Sequence, residues 1–357
     1  MEKKTVVVGM SGGVDSSVAA YLLKEQGYNV IGLTMKHWEG MESLENTEKK
    51  CCTLDNVNDA KRVCDDLEIP HYVVNFKKDF KDLVIDYFVD EYQKGNTPNP
   101  CVVCNRYIKM GKLIDFAEEI GADYVATGHY AILKDGMLYK GLDEKKDQAY
   151  FLAQVKKEYM KKLMFPLGEY TKDKIREMAE RMKVRTYAKK DSQEICFIED
   201  DDYKRFLTEV TNGDIERKGN IVHINGEILG KHNGTAFYTI GQRKGLGISY
   251  PTPLYVLGMD TKKNEVIVGD NEKLFSEEIT CKDINLLGVD TIEELDNIEC
   301  YIKSRSRDTL HKAKLSIVNE NQIKIVLIDN LVRAVTPGQL AVFYAEDGLV
   351  LGSGFIF

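Results

Sequence analysis

The sequence has no apolar run approaching the roughly 18 residues that a membrane-spanning helix needs. Its first residues, MEKKTVVVGMSGG, lack the apolar core of a signal peptide, and the chain has neither an internal repeat nor a low-complexity tract. With 43% hydrophobic and 30% charged residues, the composition is ordinary for a globular protein. These features argue against a membrane, exported or disordered protein. We expect a cytoplasmic chain, and its 357 residues suggest two or three domains.

Positive charge is also scarce overall, since 49 Lys+Arg stand against 57 Asp+Glu for a net charge of −8. Taken alone, this balance argues against a nucleic-acid partner. However, residues 156–190 hold twelve Lys/Arg and five Asp/Glu, a net of +7, so the rest of the chain sums to −15. Such a segment either binds phosphates with salt-sensitive affinity or is a solvated helix face.

Strand and helix patterns alternate through the first two hundred residues, which predicts an α/β fold: a parallel sheet with helices on both faces. The predicted strands are 5–10, 28–35, 71–76 and 121–130, and the predicted helices are 16–26, 57–67 and 79–92. After residue 210 the pattern becomes all-β, with runs at 220–224, 235–240, 254–259, 265–269, 314–318, 322–328, 333–336, 340–345 and 349–357. We predict domains at 1–210, 211–280 and 281–357: a catalytic α/β domain, a small β-rich central domain and a C-terminal β-barrel.

The strongest local motif lies between the first predicted strand and the first predicted helix. Glycines there permit positive φ, so backbone N–H groups can converge on an anion beside a helix N-terminus. Asp15 would repel phosphate directly and is better suited to a Mg²⁺ bridge. The Gly-Lys-Ser/Thr ending of a Walker A loop is missing. The predicted nucleotide-binding residues are Gly9, Met10, Ser11, Gly12, Gly13, Val14, Asp15 and Ser16.

This Ser-Gly-Gly-x-Asp-Ser pattern resembles that of the PP-loop ATP pyrophosphatases, whose fold is an adenine nucleotide α-hydrolase-like sheet. Those enzymes cleave ATP to AMP and pyrophosphate while adenylating a carbonyl oxygen. A structural turn is the alternative interpretation of the bare Ser-Gly-Gly. The loop does not choose a substrate, because asparagine, GMP and argininosuccinate synthetases, tRNA lysidine synthetase and several tRNA thiolases resemble it equally.

The eight cysteines divide into three groups. We expect Cys64, Cys281 and Cys300 to be buried apolar residues, while Cys51 and Cys52 follow a charged, loop-like stretch without ligand spacing. Cys101, Cys104 and Cys196 lie in distinctive contexts, NPCVVCNRYIK and KKDSQEICFI. A turn is predicted to carry Cys104 ahead of a helix, and two lysines precede the Cys196 segment, a setting that acidifies a thiol. Sequence spacing alone cannot pair thiols ninety residues apart.

These contexts resemble the tRNA-specific 2-thiouridylase family, and eight matching segments run in order from residue 9 to about residue 344. The segments are GMSGGVDSSVAA, NPCVVCNRYIK, ATGHYA, KDQAYFL, FPLGEYTKDKIREMA, DSQEICFI, YTIGQRKGLGI and TPGQLAVFY. The resemblance implies that ATP with Mg²⁺, lined also by Met35 and Gly128, adenylates the 2-oxygen of the wobble uridine. It implies that Cys196 carries a persulfide from a cysteine desulfurase or sulfur relay protein. Cys104 is then the second catalytic thiol and can form a transient disulfide with Cys196.

One departure from the family concerns its target-base segment, here Asn99, Pro100 and Cys101. Many relatives have Asp in place of Cys101, and a thiol is a weaker acceptor than a carboxylate. The replacement creates a Cys-x-x-Cys pair. Together with Cys196, this pair could hold a [4Fe–4S] cluster with one open iron site, an alternative to the persulfide route.

The resemblance also implies contacts with tRNA, because the segment Lys146, Asp147 and Gln148 matches a tRNA-contacting motif. Lys303, Arg305 and Arg307 alternate along a predicted strand and would share one face. The resemblance implies that the contacts there are made by Arg305 and Ser306, and it links His129 and Gln339 with acceptance of several tRNAs. The alternatives are a thiolase acting on another base and a tRNA-binding protein with a relict nucleotide site, which the intact loop disfavours.

Overall fold

A computed structural model describes residues 3–38, 54–185, 187, 195–198 and 200–357. The chain forms two compact units, neither continuous in sequence. The first comprises Met1–Val84, Cys101–Asp201 and Asp347–Val350, and the second comprises Ile85–Pro100, Asp202–Glu346 and Leu351–Phe357. The predicted boundaries at 210/211 and 280/281 remain predictions. No described helix is long and apolar enough to cross a membrane.

The strands of the first unit are β1 (Thr5–Gly9), β2 (Asn29–Lys36), β3 (His71–Asn75), β4 (Tyr124–Ala126), β5 (Ala131–Lys134), β6 (Met137–Lys140) and β7 (Leu163–Met164). Five of them form a parallel sheet in the order β3-β2-β1-β4-β7. A short antiparallel hairpin, β5 with β6, follows β4 in the chain.

Nine α-helices lie in the described part of the chain. They are α1 (Val14–Glu25), α2 (Leu54–Asp66), α3 (Lys77–Phe80), α4 (Asp86–Gln93), α5 (Pro100–Cys104), α6 (Leu113–Glu119), α7 (Ala149–Leu152), α8 (Lys172–Arg181) and α9 (Tyr203–Val210). Two π-helical segments, Lys81–Ile85 and Asn105–Lys112, join neighbouring helices. Short 3₁₀ turns span Lys157–Lys162, Thr235–Phe237, Asn271–Leu274 and Ile292–Leu295.

Helices cover both faces of the parallel sheet, as strand β1 illustrates. Val6 and Val8 point to one face and pack in a core with Cys64 and neighbouring residues of α2. Gly9, which faces the opposite side, lies close to α6, because a Cβ there would be 3.3 Å from Cδ1 of Leu113. The predicted α/β class with two helical layers is confirmed.

The second unit is mostly β. Its strands are β8 (Gly219–His223), β9 (Ile228–His232), β10 (Tyr255–Asp260), β11 (Glu265–Gly269), β12 (Phe275–Ser276), β13 (Glu278–Leu286), β14 (Glu299–Lys303), β15 (His311–Asn319), β16 (Gln322–Leu327), β17 (Val332–Arg333), β18 (Leu340–Tyr344) and β19 (Val350–Ile356). They form a four-stranded sheet (β10-β11-β8-β9), a pair (β12-β17) and a closed six-stranded barrel (β13-β16-β15-β14-β18-β19). Closure of the barrel pairs β13 with both β16 and β19, which removes open sheet edges.

Two predicted strands are wrong in this region. The run 235–240 begins with the 3₁₀ turn Thr235–Phe237, and its consecutive residues Ala236, Phe237 and Tyr238 are all buried, whereas a half-buried strand would alternate. The run 333–336 contributes only Arg333 to β17. The small β-rich sheet and the C-terminal barrel themselves are confirmed.

Candidate functional site

The predicted nucleotide loop connects the carboxyl end of β1 to α1, beside the point where the strand order reverses between β1 and β4. Open α/β sheets bind ligands at such a point. Gly12 has φ +72, and a Cβ there would lie 2.3 Å from the backbone oxygen of Asn56. Only glycine fits this position, because any larger residue meets both the strain of positive φ and a backbone clash.

Hydroxyl groups hold the loop in shape. The Ser16 hydroxyl accepts a hydrogen bond of 3.2 Å from the Ser11 backbone N–H and donates one of 3.3 Å to the Gly13 carbonyl. Ser17 donates to the same carbonyl at 2.7 Å. Ser16 is buried while Ser11 is exposed, so Ser11 is the serine placed to meet a ligand.

Asp15 is the centre of an ionic cluster. The Lys172 ammonium lies 2.8 Å and 2.9 Å from its two carboxylate oxygens, and the Tyr130 hydroxyl donates to Oδ1 at 2.8 Å. The same ammonium lies 5.6 Å from the centre of the Tyr130 ring. The Lys172 side chain is 7% exposed and that of Asp15 is 32% exposed, so solvent reaches the carboxylate more readily than the ammonium.

The Asp15 carboxylate and the Ser11 hydroxyl fit a Mg²⁺ site in their chemistry, because oxygen atoms are the ligands that this ion prefers. In the structure both Asp15 oxygens bind Lys172 instead. Met10 and Val14 are buried, so their side chains pack in the interior and their backbones form the loop. Met35 is half-buried near the end of β2.

Gly128 follows β4 and lies against the loop. A Cβ there would be 2.8 Å from both the Asp15 carbonyl carbon and the Ser16 nitrogen. The next residue, His129, is 8% exposed, and its Nδ1 lies 2.7 Å from the Thr127 hydroxyl. Burial, with a smaller contribution from the charge of Lys109, lowers the pKa of His129 to about 3. This histidine is therefore neutral at ordinary pH.

The predicted tRNA segment 146–148 is tied to the same cluster. Gln148 exchanges two hydrogen bonds with the Tyr130 backbone, its side-chain oxygen accepting at 2.9 Å and its backbone N–H donating at 2.8 Å. Asp147 accepts from the N–H groups of Gly141 and Ala149. Lys146, Asp147 and Gln148 are all half-buried, and at least the last two order the loop next to Tyr130.

The cysteine segment is helical where a turn is expected. Helix α5 begins at Pro100 and includes both Cys101 and Cys104. Proline suits the first turn of a helix, where its missing N–H needs no acceptor, so the Asn99-Pro100 pair starts the helix rather than delaying it. Cys104 is buried and Cys101 half-buried. Cys196 is half-buried in a turn closed by a 3.0 Å hydrogen bond from the Ile198 N–H to the Ile195 carbonyl.

The cysteines expected to be structural are buried, and burial raises the thiol pKa of each to about 12: Cys64, Cys281 and Cys300. The prediction for these three is confirmed. Cys51 and Cys52 lie outside the described residues. Across the described part of the chain, no three His, Cys, Asp or Glu side chains form a group that could hold a metal ion. Cys101 and Cys104 lie on helix α5 and Cys196 lies in a separate turn, and a [4Fe–4S] cluster on these three thiols remains a prediction.

In the second unit, Gln339 braces the segment that precedes the cysteines. Its side-chain amide donates to the Thr97 carbonyl at 2.8 Å, and the Thr97 N–H donates to Pro337 at 2.8 Å. Gly338 has φ +89, and a Cβ there would lie 2.9 Å from the Thr97 oxygen. Gln339 thus positions the chain leading to Asn99, which is buried.

The predicted strand through Lys303, Arg305 and Arg307 is wrong. Strand β14 ends at Lys303, and the chain turns because Asp308 accepts hydrogen bonds from the Ser304 hydroxyl at 2.7 Å and its N–H at 3.3 Å. Arg305 is half-buried and donates to the Arg333 carbonyl at 2.7 Å. The three cations therefore do not share a strand face, and we call residues 303–308 the basic corner.

Sequence reasoning missed Lys172 and Tyr130, although both stand in the quoted motifs. Lys172 is the first residue of α8, where the helix dipole disfavours a positive charge. A lysine at a helix start is a signal that it has an anionic partner, but the sequence does not identify that partner. That partner lies 157 residues away in sequence.

The sheet order and the loop after β1 define an α/β nucleotide-binding domain of the PP-loop type. Three family profiles match: "tRNA methyl transferase HUP domain" over residues 4–200, "tRNA methyl transferase PRC-barrel domain" over 204–270 and "Aminomethyltransferase beta-barrel domain" over 276–356. Together they follow the order of the α/β fold, the small sheet and the barrel.

Full-length relatives are more specific. The chain is 54% identical over 351 residues to tRNA-specific 2-thiouridylase MnmA 1 of Fusobacterium nucleatum, covering 98% of this chain and 92% of the relative. It is 48% identical to tRNA-specific 2-thiouridylase MnmA of Clostridium perfringens, covering 100% and 99%. Among solved structures, the U34-tRNA thiolase NcsA of Methanococcus maripaludis with its [4Fe–4S] cluster is 24% identical, with a TM-score of 0.36 over 58% of this chain and 64% of that one. The chain belongs to the tRNA-specific 2-thiouridylase MnmA family.

Proposed function

We propose that this chain is an ATP-dependent tRNA 2-thiouridylase that converts the wobble uridine of lysine-, glutamate- and glutamine-type tRNAs to 2-thiouridine. The observation that carries the proposal is the assembled loop of residues 9–16 in a chain 54% identical to a relative of that name over nearly its whole length. The cytoplasm, where tRNA is available, is the proposed location.

The first chemical step uses the nucleotide loop. The uridine 2-oxygen attacks the α-phosphorus of ATP, the bond to the β-phosphate breaks, and pyrophosphate leaves. Backbone N–H groups of the loop and the N-terminus of α1 stabilise the phosphate charge. Asp15 would hold Mg²⁺, which when bound neutralises charge on the departing pyrophosphate. Met35 and Gly128 line the adenosine side.

The second step transfers sulfur. The terminal sulfur of a Cys196 persulfide attacks carbon 2, and AMP leaves with the original oxygen. The Cys104 thiolate then attacks Cys196 Sγ, which breaks the persulfide bond, leaves sulfur on the base and forms a Cys104–Cys196 disulfide. A thiol reductant restores both thiols with two electrons, and a cysteine desulfurase or relay protein reloads Cys196.

Substrate positioning falls to three groups of residues in this proposal. Asn99, Pro100 and Cys101 contact the target base, which is already unpaired in the anticodon loop and needs little energy to extrude. The tRNA contacts are Lys146, Asp147, Gln148, Arg305 and Ser306, with His129 and Gln339 supporting acceptance of several tRNAs.

Mass spectrometry of tRNA nucleosides tests the proposal after incubation of the chain with tRNA, ATP, Mg²⁺ and a sulfur donor. We expect 2-thiouridine from the unmodified chain and none from Cys196→Ala or Cys104→Ala. Cys300→Ala is the matched control, because its thiol lies in the barrel core with a pKa raised by burial to about 12. A different thiolated base would favour another thiolase, and ATP-independent tRNA binding without any modification would favour a relict site.

The sulfur source needs a separate measurement. The Cys101-x-x-Cys104 spacing is the observation that favours an iron–sulfur route. Iron and acid-labile sulfide are measured after anaerobic purification. An active, iron-free enzyme supports the persulfide route, and activity proportional to bound iron overturns it.

A further inference from the structure

The Asp15–Lys172 pair lies inside the loop that the proposed function assigns to ATP and Mg²⁺. The pair is bidentate: the Lys172 ammonium lies 2.8 Å from Oδ1 and 2.9 Å from Oδ2 of Asp15. A third group, the Tyr130 hydroxyl, donates to the same carboxylate at 2.8 Å. Three of the roughly four lone-pair positions of the carboxylate are therefore in use, and a metal ion that took the two facing Lys172 would displace its ammonium.

The surroundings of Lys172 make the pair unusual. The side chain is 7% exposed, and its residue begins α8, whose N-terminal partial charge is positive. A buried ammonium in that position depends on its anionic partner. The backbone is fixed as well, because the Lys172 N–H donates to Asp143 at 2.9 Å. The Lys172 ammonium can therefore change its position by rotation about the side-chain methylene bonds, while the backbone stays in place.

We propose that Lys172 is a positioning residue that exchanges partners: it neutralises Asp15 until Mg²⁺ takes the carboxylate, and its ammonium then turns to the nucleotide phosphates. This inference rests on the proposed ATP site. The exchange keeps the charges paired throughout, since the carboxylate passes from one cation to another and the ammonium passes from one anion to another. Tyr130 holds the carboxylate in place during the exchange and links it through Gln148 to the segment 146–148.

The exchange has a signature that a purely structural ion pair lacks. Lys172→Met removes the competing cation, so Mg²⁺ should bind Asp15 at lower concentration, while the nucleotide loses a cationic partner. Lys172→Arg keeps the charge and adds a two-pronged grip on the carboxylate, so Mg²⁺ should be needed at higher concentration. A structural pair predicts lower stability in both variants without opposite metal shifts.

The experiment titrates Mg²⁺ into each full-length variant at saturating fluorescent mant-ATP and reads the nucleotide fluorescence. Formation of the Mg²⁺–nucleotide complex in solution is the same for every variant, so differences in midpoint arise from the protein. We expect the Mg²⁺ midpoint to fall about tenfold in Lys172→Met and to rise in Lys172→Arg, and the affinity for mant-ATP at saturating Mg²⁺ to weaken about tenfold in Lys172→Met.

The matched control is Lys174→Met, which removes an exposed ammonium of the same helix that pairs with Glu177, three residues along, at 2.9 Å. It should match the unmodified chain. Circular dichroism melts confirm that each variant is folded, and the Lys172→Arg shift tests the idea even where Lys172→Met is destabilised. Equal midpoints in all folded variants overturn the exchange. If the unmodified chain fails to bind mant-ATP, the proposed function itself fails, which is a distinct result.

Discussion

Two loops of this molecule follow a strand and are both proposed to meet phosphate groups, yet they are built differently. The nucleotide loop after β1 takes its shape from glycines and hydroxyls, and its strongest charged partner, Lys172, comes from a helix 157 residues away. The basic corner after β14 takes its shape from Asp308, four residues from Ser304, and offers arginine side chains. The first presents backbone N–H groups, and the second presents charged side chains.

The difference predicts different sensitivities. A site made of backbone should fail when the backbone is displaced by a single methyl group, because misplacement of about 1 Å can cost 100-fold. A site made of charged side chains should lose only part of its affinity when one of them is removed, because the remaining charges still bind phosphate.

The largest effect is expected for the nucleotide loop. Gly128→Ala places a methyl group 2.8 Å from the Asp15 carbonyl carbon and the Ser16 nitrogen, so the loop must shift. We expect ATP affinity, measured by mant-ATP fluorescence, to fall about 100-fold. Gly258→Ala is the control, because a Cβ there meets nothing within 4 Å. Equal ATP affinity in both variants would show that the loop tolerates displacement and would break the comparison.

The second prediction concerns the buried histidine beside Gly128. The unfolded His129 titrates near pH 6.5, and burial lowers the folded pKa to about 3. The native state therefore binds fewer protons than the unfolded state in this window. The stability that the neutral ring contributes is complete above pH 6.5 and is lost at about 1.4 kcal/mol per pH unit as the pH falls towards 3.

Urea unfolding between pH 7.5 and pH 4.5 measures this slope. His129→Gln keeps a hydrogen-bonding partner for Thr127 but removes the titrating group, so its stability should depend less on pH. His223→Gln, a half-buried histidine stacked on Tyr250 in the other unit, should keep the slope of the unmodified chain. Parallel slopes for all three proteins would contradict a neutral, buried His129.

The third prediction tests how the basic corner is held. Burial alone would raise the pKa of Asp308, but hydrogen bonds from Ser304 and His311 and the charge of His311 outweigh it, and the pKa is lowered. Asp308→Asn removes this charge-assisted network and should cost about 2 kcal/mol of the free energy of unfolding at pH 7. The Asp308 contribution is present above the unfolded pKa of 3.8 and is lost as the pH falls below it.

Asp329→Asn, an exposed carboxylate of the same unit, serves as the control and should leave the urea midpoint unchanged. If both variants unfold alike, the Asp308 network does not determine the corner.

The two loops also differ in how far sequence can predict them. The β1–loop–α1 segment was predictable because the switch from strand to helix periodicity and the glycines lie within twenty residues. The turn in the basic corner was not predictable, because Lys303, Arg305 and Arg307 repeat with the period of a strand. The hydrogen bond from Ser304 to Asp308 that closes the turn has no local sequence signal. Likewise, Pro100 is compatible with both a turn and the start of a helix, and the packing of the folded chain selects the helix.

The site contacts that the sequence did not predict are long-range contacts. The Asp15–Lys172 pair and the hold of Gln339 on Thr97 join residues 157 and 242 positions apart, beyond any windowed pattern. The residue types of the loop could be predicted, because they are dictated by local backbone geometry. Their charged partners could not, because the topology of the whole unit brings them together.

The smallest effect is expected at the basic corner. Arg305→Ala should weaken tRNA binding about fivefold and reduce the slope of log affinity against log salt by about one, because one phosphate contact is lost among several. Arg305→Lys keeps the charge and should retain the salt slope, while an ammonium replaces the planar guanidinium that donates to the Arg333 carbonyl. Filter binding of tRNA between 50 and 200 mM salt, about the range over which such contacts respond, gives both quantities.

The control is Arg62→Ala, an exposed arginine on α2 whose guanidinium lies 3.5 Å from Asp59. If Arg305→Ala and Arg62→Ala give the same slope, the corner is not a phosphate contact, and its arginines serve the fold alone.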